Sequence, residues 1–369
     1  MVDLLVIAGE HSGDNHAAHF VHQLKTNNPD ISICAFGGPA LKQAGAHLLF
    51  DLTQHAVVGV MAAIKHYRFF IKLMEWIVQW VRIYRPKAVC LVDFPGFNLR
   101  LAKRLYEEGL SLKSGGTVCV CEYIAPQIWA WKAKRRFSMA KYIDHLGVIF
   151  PFEKQCFEDV NLDVQFVGHP LLEEKNSFHY DAQGPLLLLP GSRLSAVKKL
   201  YPLFVDAFLQ LKQLHPGLEA VAPVPNEEIF TYLNDHKEDG ISIVKLNEVQ
   251  QGFSCALMSS GTASLQVALA GIPGVVAYKT DPITFFIGKR WVKIPYLAMA
   301  NILLRQTLYV ECLQDLTHQS SVIALQMEAL LSSPELSRQK FFEGSQKLYH
   351  LLSSPQTLTV AEWLERYCK

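Results

Sequence analysis

The sequence predicts an α/β protein built from parallel strands, and three observations support that fold class. Apolar runs of strand length recur along the whole 369-residue chain. Stretches with helical periodicity separate these runs, which is the pattern of parallel strands joined by right-handed helical crossovers. Several runs are apolar throughout, as expected for strands that helices cover on both faces. The eleven runs would form either one large sheet or two domains.

The predicted elements follow one another closely. In the first half of the chain, strands are predicted at 4–9, 31–36, 88–93, 117–124, 146–150 and 164–167, and helices at 13–25, 60–84, 97–109 and 132–141. In the second half, strands are predicted at 186–190, 219–224, 241–245, 255–259 and 274–278, and helices at 196–214, 227–236 and 261–270. A polar, turn-rich segment at 173–184 separates the halves. Beyond about residue 318 the pattern is helical only; Pro334 is typical of a first helical position, and Thr359 begins a capping box.

The composition excludes two classes of function. Only 19% of the residues are charged, against roughly 25% in an average soluble protein, and the mean hydropathy is +0.13. The formal net charge of +1 argues against a generic nucleic-acid binder, which would carry a strong basic excess. The chain also has no acidic solvating tail. We therefore expect the additional apolar residues to lie either in a core or on a surface that binds an apolar ligand.

The first residues and the cysteines indicate the compartment. A strand-like apolar run is followed by Gly9, Glu10 and Asp14, which is not a secretory signal, so we expect a cytoplasmic protein. The eight cysteines form no CxxC pairs, and we expect them to be reduced and structural. The uncharged stretch 250–278 is long enough to span a bilayer. However, 259–262 and 271–274 divide it, which favours a buried strand, helix and strand.

Carboxylates follow two of the predicted strands. The first turn contains Glu10 and Asp14 with Ser12 and Gly13 between them, and it is neither a P-loop nor a GxGxxG motif. Its carboxylates suit hydrogen bonds to substrate hydroxyls; the alternative is a tight turn with acidic residues at a helix N-terminus. Asp93 ends a buried strand, where a carboxylate is well placed as a general base. The alternative for Asp93 is a helix N-cap.

Two turns in the second half are typical of phosphate sites. Each lies between a buried strand and a helix, where backbone N–H groups attract anions. The first turn contains Gly191, Ser192 and Arg193, and the second contains Ser260, Gly261 and Thr262. Either turn alone is common in α/β proteins. Together they predict a site for a nucleoside diphosphate.

Aromatic and basic residues are concentrated in three segments, 57–84, 129–136 and 284–296. In the first, apolar residues recur with a helical period and basic residues flank them, which fits either a core-facing helix or one lying in a membrane interface. We expect this helix to contact membrane or acyl chains through five side chains: Phe69, Phe70, Leu73, Trp76 and Trp80. The segment 129–136 fits a solvated basic face, nucleic acid or phosphate-bearing head groups. The histidines between 11 and 22 lack the companions of a zinc site, so no metal is expected.

These turns, in this order, resemble the lipid-A-disaccharide synthase family, glycosyltransferase family 19 of Gram-negative bacteria. The matching segments in the first half are AGEHSGD (8–14), FGGP (36–39), VVGVMAAI (57–64), DFPGFN (93–98), IAPQIWAWKAKR (124–135), FPFE (150–153) and FVGHPL (166–171). Those in the second half are LLPGSR (188–193), SSGTASLQ (259–266), KRWVKIPYLAMAN (289–301) and ECLQ (311–314). The resemblance covers nearly the whole chain.

The resemblance implies a GT-B fold, in which two Rossmann-like domains face each other across a cleft. It implies an acceptor and lipid domain at 1–172, joined by C-terminal helices at about 345–369, and a UDP-sugar domain at 173–344. The implied reaction is inverting transfer from UDP-2,3-diacylglucosamine to 2,3-diacylglucosamine 1-phosphate, which gives the β(1→6) lipid A disaccharide and UDP without metal or cofactor. The implied location is the cytoplasmic face of the inner membrane, as a peripheral protein; a homodimer is left open.

The resemblance also assigns residues. It makes Asp93 the base and places Glu10 and Asp14 at the cleft, with Gln266 and Asn301 on the nucleotide side. The chain departs from the family pattern at Gly96 and Ala196, where the family usually has acids, and at Gln266, where it usually has Glu. These departures keep two alternatives open. One is another GT-B enzyme acting on UDP-sugars, a peptidoglycan-precursor transferase or an epimerase, and the other is a catalytically silent UDP-sugar or lipid-binding protein.

Overall fold

The computed structural model describes residues 2–55, 60–172, 178–279, 296–313, 319–353 and 358–369. The chain divides into two compact units. The first comprises Met1–Pro170 together with Leu352–Lys369, and the second comprises Leu171–Leu351. Each unit is built around one parallel sheet, so the predicted α/β class with two Rossmann-like sheets is confirmed. The cleft expected between the two sheets stays a prediction.

The sheet of the first unit has seven parallel strands in the order β3-β2-β1-β4-β5-β6-β7. The strands are β1 (Leu4–Ala8), β2 (Ile33–Gly37), β3 (His47–Asp51), β4 (Ala88–Val92), β5 (Cys119–Tyr123), β6 (His145–Val148) and β7 (Asp163–Phe166). The helices are α1 (His11–Asn27), α2 (Pro39–Gln43), α3 (Val60–Tyr84), α4 (Pro95–Glu107) and α5 (Arg135–Tyr142). The strand order reverses between β1 and β4. Such a switch point is where open α/β sheets bind ligands.

The sheet of the second unit has six parallel strands in the order β10-β9-β8-β11-β12-β13. These are β8 (Leu186–Leu189), β9 (Ala220–Val224), β10 (Ile241–Lys245), β11 (Cys255–Ser259), β12 (Gly274–Tyr278) and β13 (Val310–Leu313). Its helices are α6 (Leu194–Leu214), α7 (Glu227–Asp235), α8 (Thr262–Leu269), α9 (Met299–Leu304), α10 (Gln319–Leu331) and α11 (Pro334–Leu352). Here the order reverses between β8 and β11, the two strands that precede the predicted phosphate turns.

The last helix, α12 (Val360–Cys368), packs on the first sheet. The ring of Trp363 is fully buried against Gly147, where a Cβ would lie 3.0 Å from the ring. The predicted capping box is confirmed, because the Glu362 N–H donates to Thr359 Oγ1 (3.2 Å) and the Thr359 N–H donates to Glu362 Oε2 (2.9 Å). Leu352–Lys369 therefore belongs to the first unit, whereas the resemblance implies helices joining it from about residue 345; the implied roles of the two domains stay a prediction.

The uncharged stretch 250–278 forms β11, α8 and β12, as predicted. None of the helices in the described ranges combines the length and apolarity that crossing a membrane requires. All eight cysteines are free thiols.

The sequence analysis missed β3 and β13, two strands at sheet edges. Both carry a charged residue, Asp51 and Glu311 respectively, and are only partly buried, so neither has the apolar run that marks the central strands.

Candidate active site

Asp93 lies at the switch point of the first sheet, immediately after β4. Asp93 (φ 47°) and Phe94 (φ 50°) are consecutive non-glycine residues in the left-handed region. Each such residue costs on the order of 1–3 kcal/mol and needs support from its surroundings. The buried Asn98 amide supplies it by donating to Asp93 O (2.6 Å) and Val92 O (3.2 Å). Asn98 therefore fixes the strained turn, and Asp93 is not the N-cap of α4, a position that Phe94 holds.

The first turn packs directly against this strained pair. A Cβ on Gly9 would overlap the Phe94 ring, so only glycine fits there. A Cβ on Gly13 would lie 3.5 Å from Val92 O, which shows how closely the start of α1 approaches the end of β4. The structure thus brings two predicted motifs together. Glu10 forms the N-cap of α1, half-buried, and Ser12 is exposed.

The Asp14 side chain has a structural role in this turn. Its buried carboxylate accepts hydrogen bonds from three backbone N–H groups: Gly38 (2.7 Å), Ala40 (3.0 Å) and Leu41 (3.3 Å). These groups belong to the turn and first residues of α2, whose N–H groups have no partner within the helix. Asp14 therefore ties the first turn to the FGGP segment. The sequence could not show this, because the partners are 24 to 27 residues away along the chain.

Glu122 is a carboxyl that sequence reasoning missed. It lies on β5, in register with Leu91 on β4, and its side chain is fully buried. Among the residues that the structure describes, neither of its carboxyl oxygens has a hydrogen-bond partner. Burial, together with the negative charge of Asp93, raises the pKa of Glu122 to about 8, against a smaller opposing effect of Arg135. Glu122 is thus a neutral acid at pH 7. The available signal was the one charged residue in the strand TVCVCEY.

Another buried carboxyl organises the aromatic and basic segment. Glu153 accepts hydrogen bonds from Trp129 Nε1 (3.2 Å) and from the N–H groups of Ile149 (3.2 Å) and Phe150 (3.1 Å). Burial raises its pKa to about 7 despite these bonds. Trp131 is about half exposed, with the ammonium of Lys132 4.2 Å from its ring centroid. The segment is therefore anchored at Trp129 and exposes Lys132 and Lys134, whereas Arg136 is partly buried and paired with Asp159.

The two predicted phosphate turns adjoin in the second unit, because β8 and β11 are paired neighbours. A Cβ on Gly191, which has φ 129°, would lie 3.5 Å from Ser259 Oγ at the end of β11. Arg193 is exposed at the N-cap of α6, and Gly261 is the N-cap of α8. Ser192 is exposed and Ser260 half-buried in the same turns. The main chain of α8 begins at Thr262, and Gln266 is partly buried on this helix.

Asn301 is the exception among the predicted nucleotide contacts. It is fully buried and uses its whole hydrogen-bonding capacity within the protein. Its Nδ2 donates to Tyr309 O (2.8 Å) and Glu311 Oε1 (2.9 Å), and its Oδ1 accepts from the N–H groups of Leu308 (2.8 Å) and Tyr309 (2.9 Å). An asparagine side chain has two donors and two acceptor sites, so none is left for a ligand. Asn301 instead joins the end of the 289–301 segment to Glu311 of ECLQ.

The predicted lipid-facing residues of α3 divide between core and surface. Leu73 and Trp80 were expected to contact acyl chains, but they are buried in the core of the first unit, because this face of the helix packs on the sheet. Phe69 and Phe70 are partly buried against the same core. Trp76 is 44% exposed, and its ring also touches Phe36 edge-on at 5.0 Å. The side chains of residues 55–67 lie outside the described part.

Among the residues that the structure describes, no three His, Cys, Asp or Glu side chains converge as metal ligands. His16 and His19 are partly buried on α1, and His22 is exposed.

Comparison with known proteins identifies the family. The model of the lipid-A-disaccharide synthetase family matches residues 4–360. The chain belongs to this family. It is 35% identical over 327 residues to lipid-A-disaccharide synthase 1 of Legionella pneumophila, covering 84% of this chain and 83% of that protein. It is 30% identical over 331 residues to the Coxiella burnetii lipid-A-disaccharide synthase, covering 86% of each chain. The protein is thus a glycosyltransferase of lipid A biosynthesis.

Solved structures agree on the fold. The chain superposes on the glycotransferase of kitacinnamycin with a TM-score of 0.61 at 13% identity, covering 99% of this chain and 98% of that one. It superposes on UDP-GlcNAc 2-epimerase from Neisseria meningitidis with a TM-score of 0.59 at 11% identity, covering 99% and 97%. At these identities the likeness shows the GT-B fold alone. Because the sequence relatives are lipid-A-disaccharide synthases, the epimerase and peptidoglycan alternatives lose their support.

Proposed function

We propose that the chain transfers a 2,3-diacylglucosamine unit from its UDP-linked donor to the 6-hydroxyl of 2,3-diacylglucosamine 1-phosphate, with inversion at the anomeric carbon. The observation that carries the proposal is the strained turn at Asp93. Asp93 lies at a switch point, Asn98 holds its backbone, and the turn packs against a glycine-rich turn, so its carboxylate has the features of a general base on a rigid scaffold.

In this mechanism Asp93 accepts the proton of the acceptor hydroxyl as its oxygen attacks the anomeric carbon of the donor. The bond from that carbon to the diphosphate breaks, and UDP leaves with the negative charge. The N-termini of α6 and α8 and the Arg193 guanidinium are proposed to stabilise this charge, so that no metal ion is needed. Gly191, Ser192, Ser260, Gly261 and Thr262 would supply the backbone and hydroxyl donors, and Gln266 a contact to a ribose hydroxyl.

The neighbours of Asp93 take different roles. We propose Glu10, with Ser12 and Gly13, as contacts to the acceptor at the first turn. Asp14 is proposed as a positioning residue, because its carboxylate is occupied by three backbone N–H groups. A direct contact of Asn301 with the nucleotide is not proposed, since its amide is saturated.

The decisive experiment compares Asp93→Asn with a control at an exposed acid, Asp159→Asn. General-base catalysis contributes about 10²–10⁴-fold to rate. Release of UDP from the diacylated substrates should fall by that factor in Asp93→Asn, whereas UDP affinity should stay unchanged and Asp159→Asn should behave as wild type. Undiminished turnover of Asp93→Asn would refute the base assignment. Absence of UDP release from the wild-type protein would favour the catalytically silent alternative.

The lipid part of the proposal is tested with the substrate itself. If the acyl chains are recognised, a deacylated donor should react poorly while UDP affinity is retained. Equal rates with both donors would remove lipid recognition from the proposal. Full activity in excess EDTA is expected, because the diphosphate charge is assigned to Arg193 and two helix N-termini.

We also propose that the protein binds the cytoplasmic face of the inner membrane through α3. The exposed residues of this helix include Ile71 and Trp76 beside Arg68 and Lys72, a combination that suits an anionic lipid interface. Trp76→Ser should reduce sedimentation with vesicles containing anionic phospholipid. The control is Leu214→Ser, an exposed apolar residue of the second unit. An equal effect of both variants would contradict an α3-specific surface.

A further inference from the structure

Four buried thiols lie on one face of the first sheet, under α12. Cys119 and Cys121 alternate along β5, with their Sγ atoms 3.7 Å apart. Cys90 is paired with Cys121 across β4 and β5, and Cys368 at the end of α12 packs into the same cluster. Cys119 is the first residue of β5, so it lies at the amino ends of the strands. Asp93 follows the carboxyl end of β4, at the opposite edge.

An oriented imidazole adjoins the first of these thiols. His145 is the first residue of β6, beside Cys121 in the sheet register. Its Nδ1 lies 2.7 Å from Asp163 Oδ2, and its ring stacks on Tyr367 with centroids 4.0 Å apart. The His145 side chain also interacts with the Cys119 thiol and lowers its pKa. A thiol, an imidazole and a carboxylate are therefore neighbours on this face of the sheet, as in sites that activate cysteine nucleophiles.

The protonation states follow from these contacts. A hydrogen bond from Cys121 lowers the pKa of Cys119 to about 7 against the effect of burial, and His145 adds to the lowering. Either sulfur could donate in this contact; because burial raises the pKa of Cys121 far above its ordinary value, we expect Cys121 to keep its proton. Burial lowers the pKa of His145, but its bonds to Cys119 and Asp163 outweigh this and raise it. The other titratable groups around this site are Asp3, Lys87, Cys90, Asp144, Glu365, Arg366, Tyr367 and Cys368.

We propose that Cys119 is a nucleophilic thiolate and a modification site for soft electrophiles, hydroperoxides in particular. The sulfur attacks one peroxide oxygen; an S–O bond forms and the O–O bond breaks. The departing hydroxide takes a proton from the His145 imidazolium and leaves as water, so the products are a Cys119 sulfenic acid and neutral imidazole. Cys119 keeps 5% of its surface exposed, at the edge where Asp163 reaches solvent. The proposal is independent of the transferase function.

The experiment measures labelling of the native protein by iodoacetamide from pH 5 to pH 9, resolved by peptide mass spectrometry. Cys156 is the internal control, since it is more exposed but burial raises its pKa. The Cys119 rate should reach half its maximum near pH 7, whereas the Cys156 rate should still be rising at pH 9. A Cys119 profile that follows that of Cys156, or no labelling of Cys119, would overturn the proposal.

A variant and a second reagent sharpen the test. Asp163→Asn, at a half-exposed position outside the transferase site, removes the carboxylate that raises the pKa of His145. It should lower Cys119 labelling at pH 7 about fivefold, the change in thiolate fraction when a pKa near 7 rises by about one unit, and leave Cys156 unchanged. One equivalent of hydrogen peroxide should block Cys119 before Cys156, and dithiothreitol should restore it. An unshifted Cys119 profile in Asp163→Asn, or prior blocking of Cys156, would contradict the assigned roles.

Discussion

Replacing Glu122 by glutamine tests whether a neutral acid is buried beside the proposed base. The folded-state pKa of about 8 lies roughly 3.5 units above the ordinary value of 4.5. One unit corresponds to about 1.4 kcal/mol, so ionising Glu122 in the folded protein costs on the order of 5 kcal/mol. Glutamine has nearly the same shape and cannot ionise. The substitution therefore removes this titration while keeping the packing between Leu91 and the neighbouring strands.

The sign of the pH dependence follows from linkage. Below pH 4.5 Glu122 is protonated in both folded and unfolded chains, so its contribution to stability is fully present. Between about pH 4.5 and pH 8 only the unfolded chain releases the proton, and the contribution is lost as pH rises. The free energy of unfolding of Glu122→Gln minus that of the wild type should therefore increase by about 1.4 kcal/mol per pH unit in this range. At pH 7 the accumulated difference is about 3 kcal/mol, and above pH 8 it is constant.

Urea-induced unfolding of both proteins at a series of pH values measures this difference. Other titrations, including that of Glu153, occur in both chains and cancel. Glu158→Gln, an exposed position in the same unit, should give a difference that does not change with pH. If the Glu122→Gln and wild-type profiles run parallel from pH 5 to pH 8, Glu122 is not held protonated in the folded protein, and the reasoning fails.

Three further substitutions test the structural roles assigned above. Asp14→Asn weakens the bonds to the α2 turn and should lower the free energy of unfolding by about 1–3 kcal/mol; unchanged stability in urea would free Asp14 for a direct catalytic role. Trp363→Ala leaves a large cavity against Gly147 and should cost about 3–5 kcal/mol, measured by the same method; a loss below 1 kcal/mol would mean that α12 is not part of the core. Asn301→Leu leaves the buried Tyr309 N–H without its acceptor, whereas the Leu308 N–H still donates to Gln306 O, and it should destabilise the protein by about 1–3 kcal/mol. Weaker UDP binding in Asn301→Leu at unchanged stability would instead restore Asn301 as a nucleotide ligand.

The central strands could be predicted because burial on both faces of a parallel sheet demands an uninterrupted apolar run. Strands at the edges lack that demand; β7 and β10 were still predicted, whereas β3 and β13, each of which carries an acid, were missed. The apolar helix α3 shows a second kind of limit. A core and a lipid interface select the same residue types, so the sequence alone could not separate the buried Leu73 and Trp80 from the exposed Trp76. What distinguishes them is whether the side chain faces the sheet or the solvent.

The position of Asp93 could be predicted, because it depends only on where its strand ends along the chain; its role as the base stays a prediction. The surroundings of a side chain could not be predicted where its partners are distant in sequence. Asp14 and Asn301 carry the polar atoms expected of ligand contacts, yet backbone groups of the protein occupy them. Glu122 was missed because a carboxyl within a strand usually faces solvent, and one charged residue in an apolar strand does not by itself reveal full burial.

The strained pair at residues 93 and 94 explains why the two motifs of the first sheet belong together. Left-handed backbone at Asp93 and Phe94 is unfavourable by itself, and it persists because two other residues suit it. Asn98 bonds the carbonyl groups of the turn, and Gly9 leaves the space that the Phe94 ring fills. A side chain at Gly9 or loss of the Asn98 amide would therefore change the backbone conformation of Asp93, although Asp93 itself is not substituted. A carboxylate that merely capped a helix would need neither the strain nor this support, which is why the geometry favours a catalytic role for Asp93.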